Sequence, residues 1–167
     1  LNLKVKYRES FRPFAPRVLS EDISEWFDHE KDSPYMMLVA NVKSDKHIQT
    51  TNSQDQLFGI KKLNVPRSSV PAVTHVDYSA RIQTVHKDTN PLYYNLISKF
   101  KEKTGCPILV NTSFNVRGEP IICSPTDAFK CFMGTELDVI AVGSYLLLKS
   151  EQDDSLQDIY KQDYELD

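Results

Sequence analysis

The stretch from Asn90 to Gly118 constrains the fold most, because it reads as a helix, a strand and a polar loop in unbroken succession. Asn90 offers a capping side chain, and Pro91 suits a first helical turn. Leu92, Tyr93, Leu96, Ile97 and Phe100 recur at i, i+4 spacing, which predicts an apolar helix face, and Gly105 ends the helix. Pro107-Ile108-Leu109-Val110 then reads as a buried strand. Behind it crowd Asn111, Thr112, Ser113, Asn115 and Arg117, with Gly118 allowing a turn. A connecting turn needs only one or two such residues. Ligands of open α/β sheets sit beyond strand carboxyl ends, where this loop lies. The loop therefore either binds something or bonds to itself as Asx and Ser/Thr turns.

The remaining segments complete a mixed α/β (α+β) class with a sheet core. Residues 3–8 alternate apolar and basic, which predicts a strand carrying Lys4, Lys6 and Arg8 on one face. Phe11 to Pro16, with two prolines three apart, is expected to leave regular structure. Ser20-Glu21-Asp22 is expected to cap a short helix with Ile23, Trp26 and Phe27 on one side, ended by Ser33-Pro34. Tyr35 to Val42 reads as a buried strand, and 43–69 as a long surface loop. Ala72–Val76 and Ser79–Val85 read as strands, the second setting Ala80 and Ile82 against Arg81 and Gln83. Ser124-Pro125-Thr126-Asp127 repeats the cap-plus-proline signal and starts a helix to about Met133. Asp138–Lys149 reads as a strand pair or bent strand turning at Gly143.

The length of 167 residues suits one domain, taken as 1–150, followed by an acidic, flexible tail over 151–167 with seven acidic residues and one Lys. The opposite end is basic: Lys4, Lys6, Arg8, Arg12 and Arg17 face only Glu9 in the first seventeen residues. A net charge of −3 argues against general nucleic-acid affinity. No apolar run is long enough to span a membrane, and a cytoplasmic location is expected. Cys106, Cys123 and Cys131 form no CxxC pair, and His29, His47, His75 and His86 no HxxxH pair, so no metal site is expected. The chain reads as a domain cut from something larger.

Lys6 and Arg8 on one face could clamp a phosphate, Lys as a compact charge and Arg as a planar fork, or could be the solvated cations of a strand edge. Arg12, between aromatic residues, could stack on a purine or on Phe. Arg81 shares a face with Ser79 and Gln83, where structural bonds serve as well as ligand contacts. Asp127 reads as a cap of its own helix, Asp138 as structural. No GxxxxGK[ST] or GxGxxG is present, so familiar phosphate loops are excluded.

Three segments resemble the carboxyl-terminal domain of the carbamoyltransferases that include nodulation protein NodU and antibiotic O-carbamoyltransferases. They are Lys6-Tyr7-Arg8-Glu9-Ser10-Phe11-Arg12-Pro13-Phe14-Ala15-Pro16, the run Pro71 to Val85 (PAVTHVDYSARIQTV), and Thr104 to Asn115 (TGCPILVNTSFN), continued by Gly118-Glu119-Pro120 and Ser124 to Ala128. The resemblance covers nearly all of the chain to about Lys149. It implies a YrdC-like fold, a twisted mixed sheet with flanking helices, that combines ATP (with Mg²⁺) and carbamoyl phosphate into carbamoyl-adenylate. The carbamoyl group would pass to an acceptor hydroxyl or amine on a separate N-terminal kinase-like domain. Lys6-Tyr7-Arg8 and Ser113-Phe114-Asn115 match the Lys-x-Arg and Ser-x-Asn motifs of such domains. The resemblance thus implies catalytic roles for Lys6, Arg8, Ser113 and Asn115, and ligand contacts for Arg12, Arg81, Asn111 and Arg117, with His75 ranked behind them.

The chain departs from the family pattern at Arg17, where Ser is common, and at Tyr78, where Gly is common. If that Gly adopts positive φ in relatives, Tyr78 would strain or reshape the turn. An RNA-binding module of YrdC-like type and a non-catalytic docking domain remain as alternatives.

Overall fold

The computed structural model describes residues 1–156, the Asp55 side chain apart. The chain forms two compact units: Pro13–Thr112, and a smaller one joining Leu1–Arg12 to the residues from Ser113 onward.

The larger unit is built on a mixed sheet of β1 (Ala15–Leu19), β2 (Leu38–Asn41), β3 (Ser79–Val85) and β4 (Ile108–Asn111), in the order β2-β3-β1-β4. β1 runs parallel to β3 and antiparallel to β4, while β2 runs antiparallel to β3. The helices are α1 (Ile23–Trp26), α2 (Asn52–Asp55), α3 (Ile60–Leu63) and α4 (Pro91–Thr104). Phe14, Val18, Ile23, Trp26, Phe27, Ala80 and Ile82 belong to the main core.

Several sequence expectations hold here. β3 buries Ala80 and Ile82 and exposes Arg81. Asn90 caps α4, its Oδ1 accepting the Tyr93 N–H at 3.3 Å, and Gly105 ends the helix in the left-handed region at φ 76°. Ile23, Trp26 and Phe27 are buried together.

Others are corrected. The central strand β1 lies in the Phe11–Leu19 region expected to be irregular at its start. Pro16 is tolerated because the ladder to β3 begins only at Arg17, so its missing N–H is not required there. β2 is shorter than expected and, as an edge strand, exposes Leu38 and Val39 while burying Ala40. Residues 72–76 are not a strand: Pro71–Val73 is a 3₁₀ turn. The expected loop of 43–69 contains α2 and α3, α2 being held by a capping box between Thr51 and Gln54. Neither Ser20 nor Asp22 makes a side-chain cap bond to α1. Asp22 is buried instead against Lys101 of α4, with Nζ at 2.7 and 2.8 Å from its two oxygens. On α4, Ile97, Tyr93 and Tyr94 pack with Leu19, Val85 and Leu109, while Leu92 and Leu96 are exposed. The apolar repeat was wide enough to leave the choice of face to the tyrosine rings.

In the smaller unit α5 (Pro125–Gly134) precedes the hairpin β5 (Val139–Val142) and β6 (Tyr145–Leu148), which turns at Gly143 with φ 59°. The Ser124 hydroxyl oxygen accepts the Asp127 N–H at 3.1 Å and its O–H donates to Asp127 Oδ2 at 2.6 Å, so both residues form the expected cap. Ala128, Phe132, Met133 and Ile140 form the core, flanked by Phe114, Ile122 and Leu147. At the far end of α5, Lys149 Nζ donates to Phe132 O and to Thr135 O and lies 4.4 Å from the Phe132 ring centroid.

The first residues of this unit form one wide helical turn, Asn2–Lys6, where a strand was expected. Asn2, Val5 and Lys6 are buried, at i, i+3 and i+4, while Leu3 and Lys4 face solvent. A strand cannot bury two successive residues on one face; Lys6 joins Val5 inside because its ammonium finds acceptors there. The acidic tail expected from Glu151 falls mostly on residues past Leu156, outside the described residues.

Candidate functional site

The site residues named from sequence divide between the units. Lys6, Arg8, Arg12, Ser113, Asn115 and Arg117 belong to the smaller one, Arg81 and Asn111 to the larger.

The smaller unit's group is organised around the Lys6 ammonium. Its Nζ lies 2.7 Å from Ser113 O, 3.4 Å from Ser113 Oγ, 2.5 Å from Asn115 O and 2.8 Å from Asn115 Oδ1. An ammonium has three protons, so these contacts occupy its donor capacity. The loop is closed further by Ser113 Oγ–H to Asn115 Oδ1 at 2.6 Å and Asn115 Nδ2–H to Glu119 O at 2.8 Å. The Val116 N–H donates to Glu119 Oε2 at 2.8 Å, and the Arg117 N–H returns to Lys6 O at 3.1 Å. Gly118, at φ 79°, allows the sharp reversal. Lys6 thus reads as the residue that fixes the shape of the 113–119 loop, with Ser113 left on the surface.

Tyr7 turns the chain at this point. Its backbone is left-handed, φ 48°, and its ring packs with Val116 and Cys131 while its O–H donates to Gly134 O at 2.6 Å. The buried Asn2 then orders the cations that follow: its Oδ1 accepts from Arg8 Nε at 2.8 Å, and its Nδ2 donates to Ser10 O and Arg12 O at 3.2 and 2.8 Å. Glu9 counters two neighbours, with Arg12 Nε at 2.8 Å and Arg117 Nη1 at 3.4 Å.

The electrostatics reflect this crowding. Burial, and next the charge of Arg8, lower the pKa of Lys6 below the ordinary lysine value, with the buried Glu119 opposing. Burial and then the charge of Arg12 lower that of Arg8. Three cations are therefore crowded together against their mutual repulsion, a field suited to an anionic ligand.

Sequence reasoning missed Asn2 and Glu119 as the groups that brace these residues. Glu119 directly follows the turn glycine of the polar loop, and that position was a usable signal. Asn2 carried none, because its role depends on the helical turn that the alternation concealed.

The larger unit places the other residues differently. Asn111, at the end of β4, donates through Nδ2 to Gln83 Oε1 at 3.0 Å and to Met36 Sδ at 3.3 Å. Arg17 Nε shares that Gln83 oxygen at 2.9 Å, and its guanidinium lies 4.9 Å from the Tyr93 ring centroid. Arg81 is exposed on β3 opposite Val39. His75 Nδ1 lies 3.0 Å from Ser79 Oγ in a turn also held by Asp77. In that turn Tyr78 has φ 63° and stacks on His47 at 4.1 Å. The positive φ considered for this position is thus adopted by a tyrosine.

Residues 1–149 match the family described as "Carbamoyltransferase C-terminus". The chain is 55% identical over 168 residues to the uncharacterized protein sll1178 of Synechocystis sp., covering 100% of this chain and 27% of that protein. It is 43% identical over 161 residues to nodulation protein NolO of Bradyrhizobium diazoefficiens, covering 95% and 25% of the two. It is 34% identical over 124 residues to a 3'-hydroxymethylcephem-O-carbamoyltransferase of Amycolatopsis lactamdurans, covering 74% and 20%. The chain thus spans about a quarter of the length of such relatives. Among the described residues no helix is long and apolar enough to cross a membrane.

Proposed function

Because this chain belongs to the carbamoyltransferase C-terminal family, we propose that it binds ATP and carbamoyl phosphate and forms carbamoyl-adenylate, which a kinase-like domain of a longer protein uses to carbamoylate a hydroxyl or amine. The observation that carries this reading is the cationic loop of the smaller unit, where Lys6 holds Ser113 and Asn115 beside Arg8 and Arg12.

In this reading water releases phosphate from carbamoyl phosphate, leaving carbamate. A carbamate oxygen then bonds to the α-phosphorus of ATP while the bond to the β-phosphate oxygen breaks, and pyrophosphate departs. Negative charge accumulates on the α-phosphoryl oxygens and the leaving group. In this reading Arg8 meets it, Ser113 joins once its O–H turns from Asn115 Oδ1 to the ligand, and Lys6 keeps the rest of the loop in shape. Arg12 and Arg117 extend the positive surface, both moderated by Glu9. Mg²⁺ would arrive with the nucleotide phosphates.

The test is ATP–pyrophosphate exchange by the longer protein that contains this chain, with and without carbamoyl phosphate. Exchange that requires carbamoyl phosphate and is lost in Arg8→Gln supports the reading. Carbamoyl transfer that proceeds without any such exchange opposes it.

A further inference from the structure

Residues 35–41 of the larger unit, YMMLVAN, include no charge, proline or glycine. They reach the surface nonetheless: Tyr35 is 80%, Met37 81%, Val39 60% and Leu38 44% exposed. Edge strands are ordinarily guarded by lysine, proline or a bulge, because an open edge recruits other chains. β2 stands at the end of the sheet order and has neither lysine nor proline in its sequence.

The ladder shows which main-chain groups stand open. Val42 N–H donates to Tyr78 O at 2.8 Å, on the β3 side, so Ala40 and Leu38 also turn their N–H and C=O toward β3. The odd-numbered residues between them face away from β3. Two of these are met by the chain itself: Lys43 N–H donates to Trp26 O at 2.9 Å, and Asn41 O accepts the Asp28 N–H at 2.8 Å. The chain then leaves the edge, the His29 N–H turning back to Phe27 O at 2.8 Å. Val39 comes next, and among the described residues no hydrogen bond outside the β2–β3 ladder reaches it or Met37. Met36 fixes the start of this edge, with a left-handed backbone at φ 56° and its Sδ accepting from Asn111 Nδ2 at 3.3 Å. An uncommon backbone held by such a contact presents a set strand rather than a loose loop.

An added strand would satisfy the open groups and cover the apolar side chains together. A second copy of this chain fits poorly, because in each copy residues 26–28 already occupy the same edge from Asn41 onward and would stand between two β2 strands. A strand from elsewhere in a longer protein meets no such obstacle. The chain covers 27%, 25% and 20% of the three relatives, so most of each such protein lies outside it. We propose that an extended, apolar segment from the part of the longer protein outside these 167 residues adds to the open edge of β2. Its main chain pairs with Val39, and its side chains cover Met37 and Val39. The proposal rests on the reading of this chain as part of a longer protein, and not on the nucleotide chemistry.

The experiment uses the longer protein that contains this chain. Amide hydrogen exchange is read at Val39, and a photoreactive diazirine side chain in place of Met37 is used for cross-linking in an equal mixture of isotopically light and heavy protein. The Val39 amide should exchange about tenfold or more slowly than in an unstructured peptide, the scale of one hydrogen bond. The cross-link should join position 37, within one polypeptide, to a residue outside the 167. Val39→Lys puts a charge into the apolar edge and should abolish the cross-link while the Ala80 and Ile82 amides of β3 stay protected. Exchange of Val39 at the unstructured rate would overturn the proposal. So would cross-links that are absent, confined to the 167 residues, retained in Val39→Lys, or formed between light and heavy copies. Neither readout requires nucleotide, so a failure of ATP–pyrophosphate exchange would leave this result standing.

Discussion

The Lys6 ammonium lies 2.8 Å from Asn115 Oδ1, a contact across 109 positions of the chain. It joins the opening helical turn to the polar loop, and makes a buried cation the organising centre of the smaller unit. Main-chain oxygens of Ser113 and Asn115 depend on the same ammonium.

Lys6→Met keeps the length of the side chain and removes its donors. The Ser113 and Asn115 acceptors then lose their partner, and a loss of about 1–3 kcal/mol is expected from leaving buried polar groups unmatched. The urea midpoint should fall, and hydrogen exchange should accelerate at Val116 and Arg117, whose N–H groups are bonded within the loop. Lys6→Arg should not restore either, because a planar fork cannot reproduce a compact set of contacts. Unchanged exchange in Lys6→Met would show that the loop holds its shape without the cation.

Two lysines two positions apart have pKa values shifted in opposite directions. Lys6 is lowered by burial and then by Arg8, whereas Lys4 is raised, first by its hydrogen bond to Glu136 and then by that carboxylate's charge. Between the folded midpoint of Lys6 and the usual value of 10.5, the unfolded chain holds a proton that the folded chain lacks. Stability from this group therefore rises with pH through that window. Lys4 has the opposite sign: its contribution is present below 10.5 and is lost as pH rises through its higher folded midpoint. Side-chain ¹⁵N or adjacent-methylene shifts across an alkaline titration should show Lys6 titrating first. The reverse order would contradict the buried setting of Lys6.

Local signals were most legible where one residue type does one job. Asn90 and Gly105 bound α4, Ser124 caps α5 and Gly143 turns the hairpin, Asn and Ser through side-chain oxygens and the glycines through the positive φ that the lack of a Cβ allows. The polar run from Asn111 to Gly118 was legible as a special loop, and its motifs identified the family. What stayed hidden depended on partners distant in sequence. The Lys4–Lys6–Arg8 alternation imitates a strand until Asn115 and Ser113 supply acceptors that draw Lys6 inward. β1 was concealed by Pro16, which is harmless only because β3 joins the ladder one residue later. On α4 the repeat allowed more than one buried face, and Tyr93 and Tyr94 decided it by packing around Leu19 and Leu109.

Asp22 and Lys101 join the turn before α1 to α4. The carboxylate is buried, but Lys101 is 41% exposed in its side chain, so the pair is worth less than a fully buried one. Asp22→Asn should cost about 1–2 kcal/mol, between the surface and interior limits. Thermal or urea unfolding would measure it. High salt should change wild-type stability by less than the substitution does, since the carboxylate is screened from solvent. A neutral effect of Asp22→Asn would place the junction's strength in the Leu19–Ile97 packing.

The central claim is that the loop fixed by Lys6 receives an anionic nucleotide, and isothermal titration with ATP and Mg²⁺ tests it most directly. The wild-type chain should bind, and Ser113→Ala and Lys6→Ala should each weaken binding about tenfold or more, the size of a charge-assisted contact. Binding by both variants at wild-type strength, with folds intact by amide spectra, would contradict the assignment.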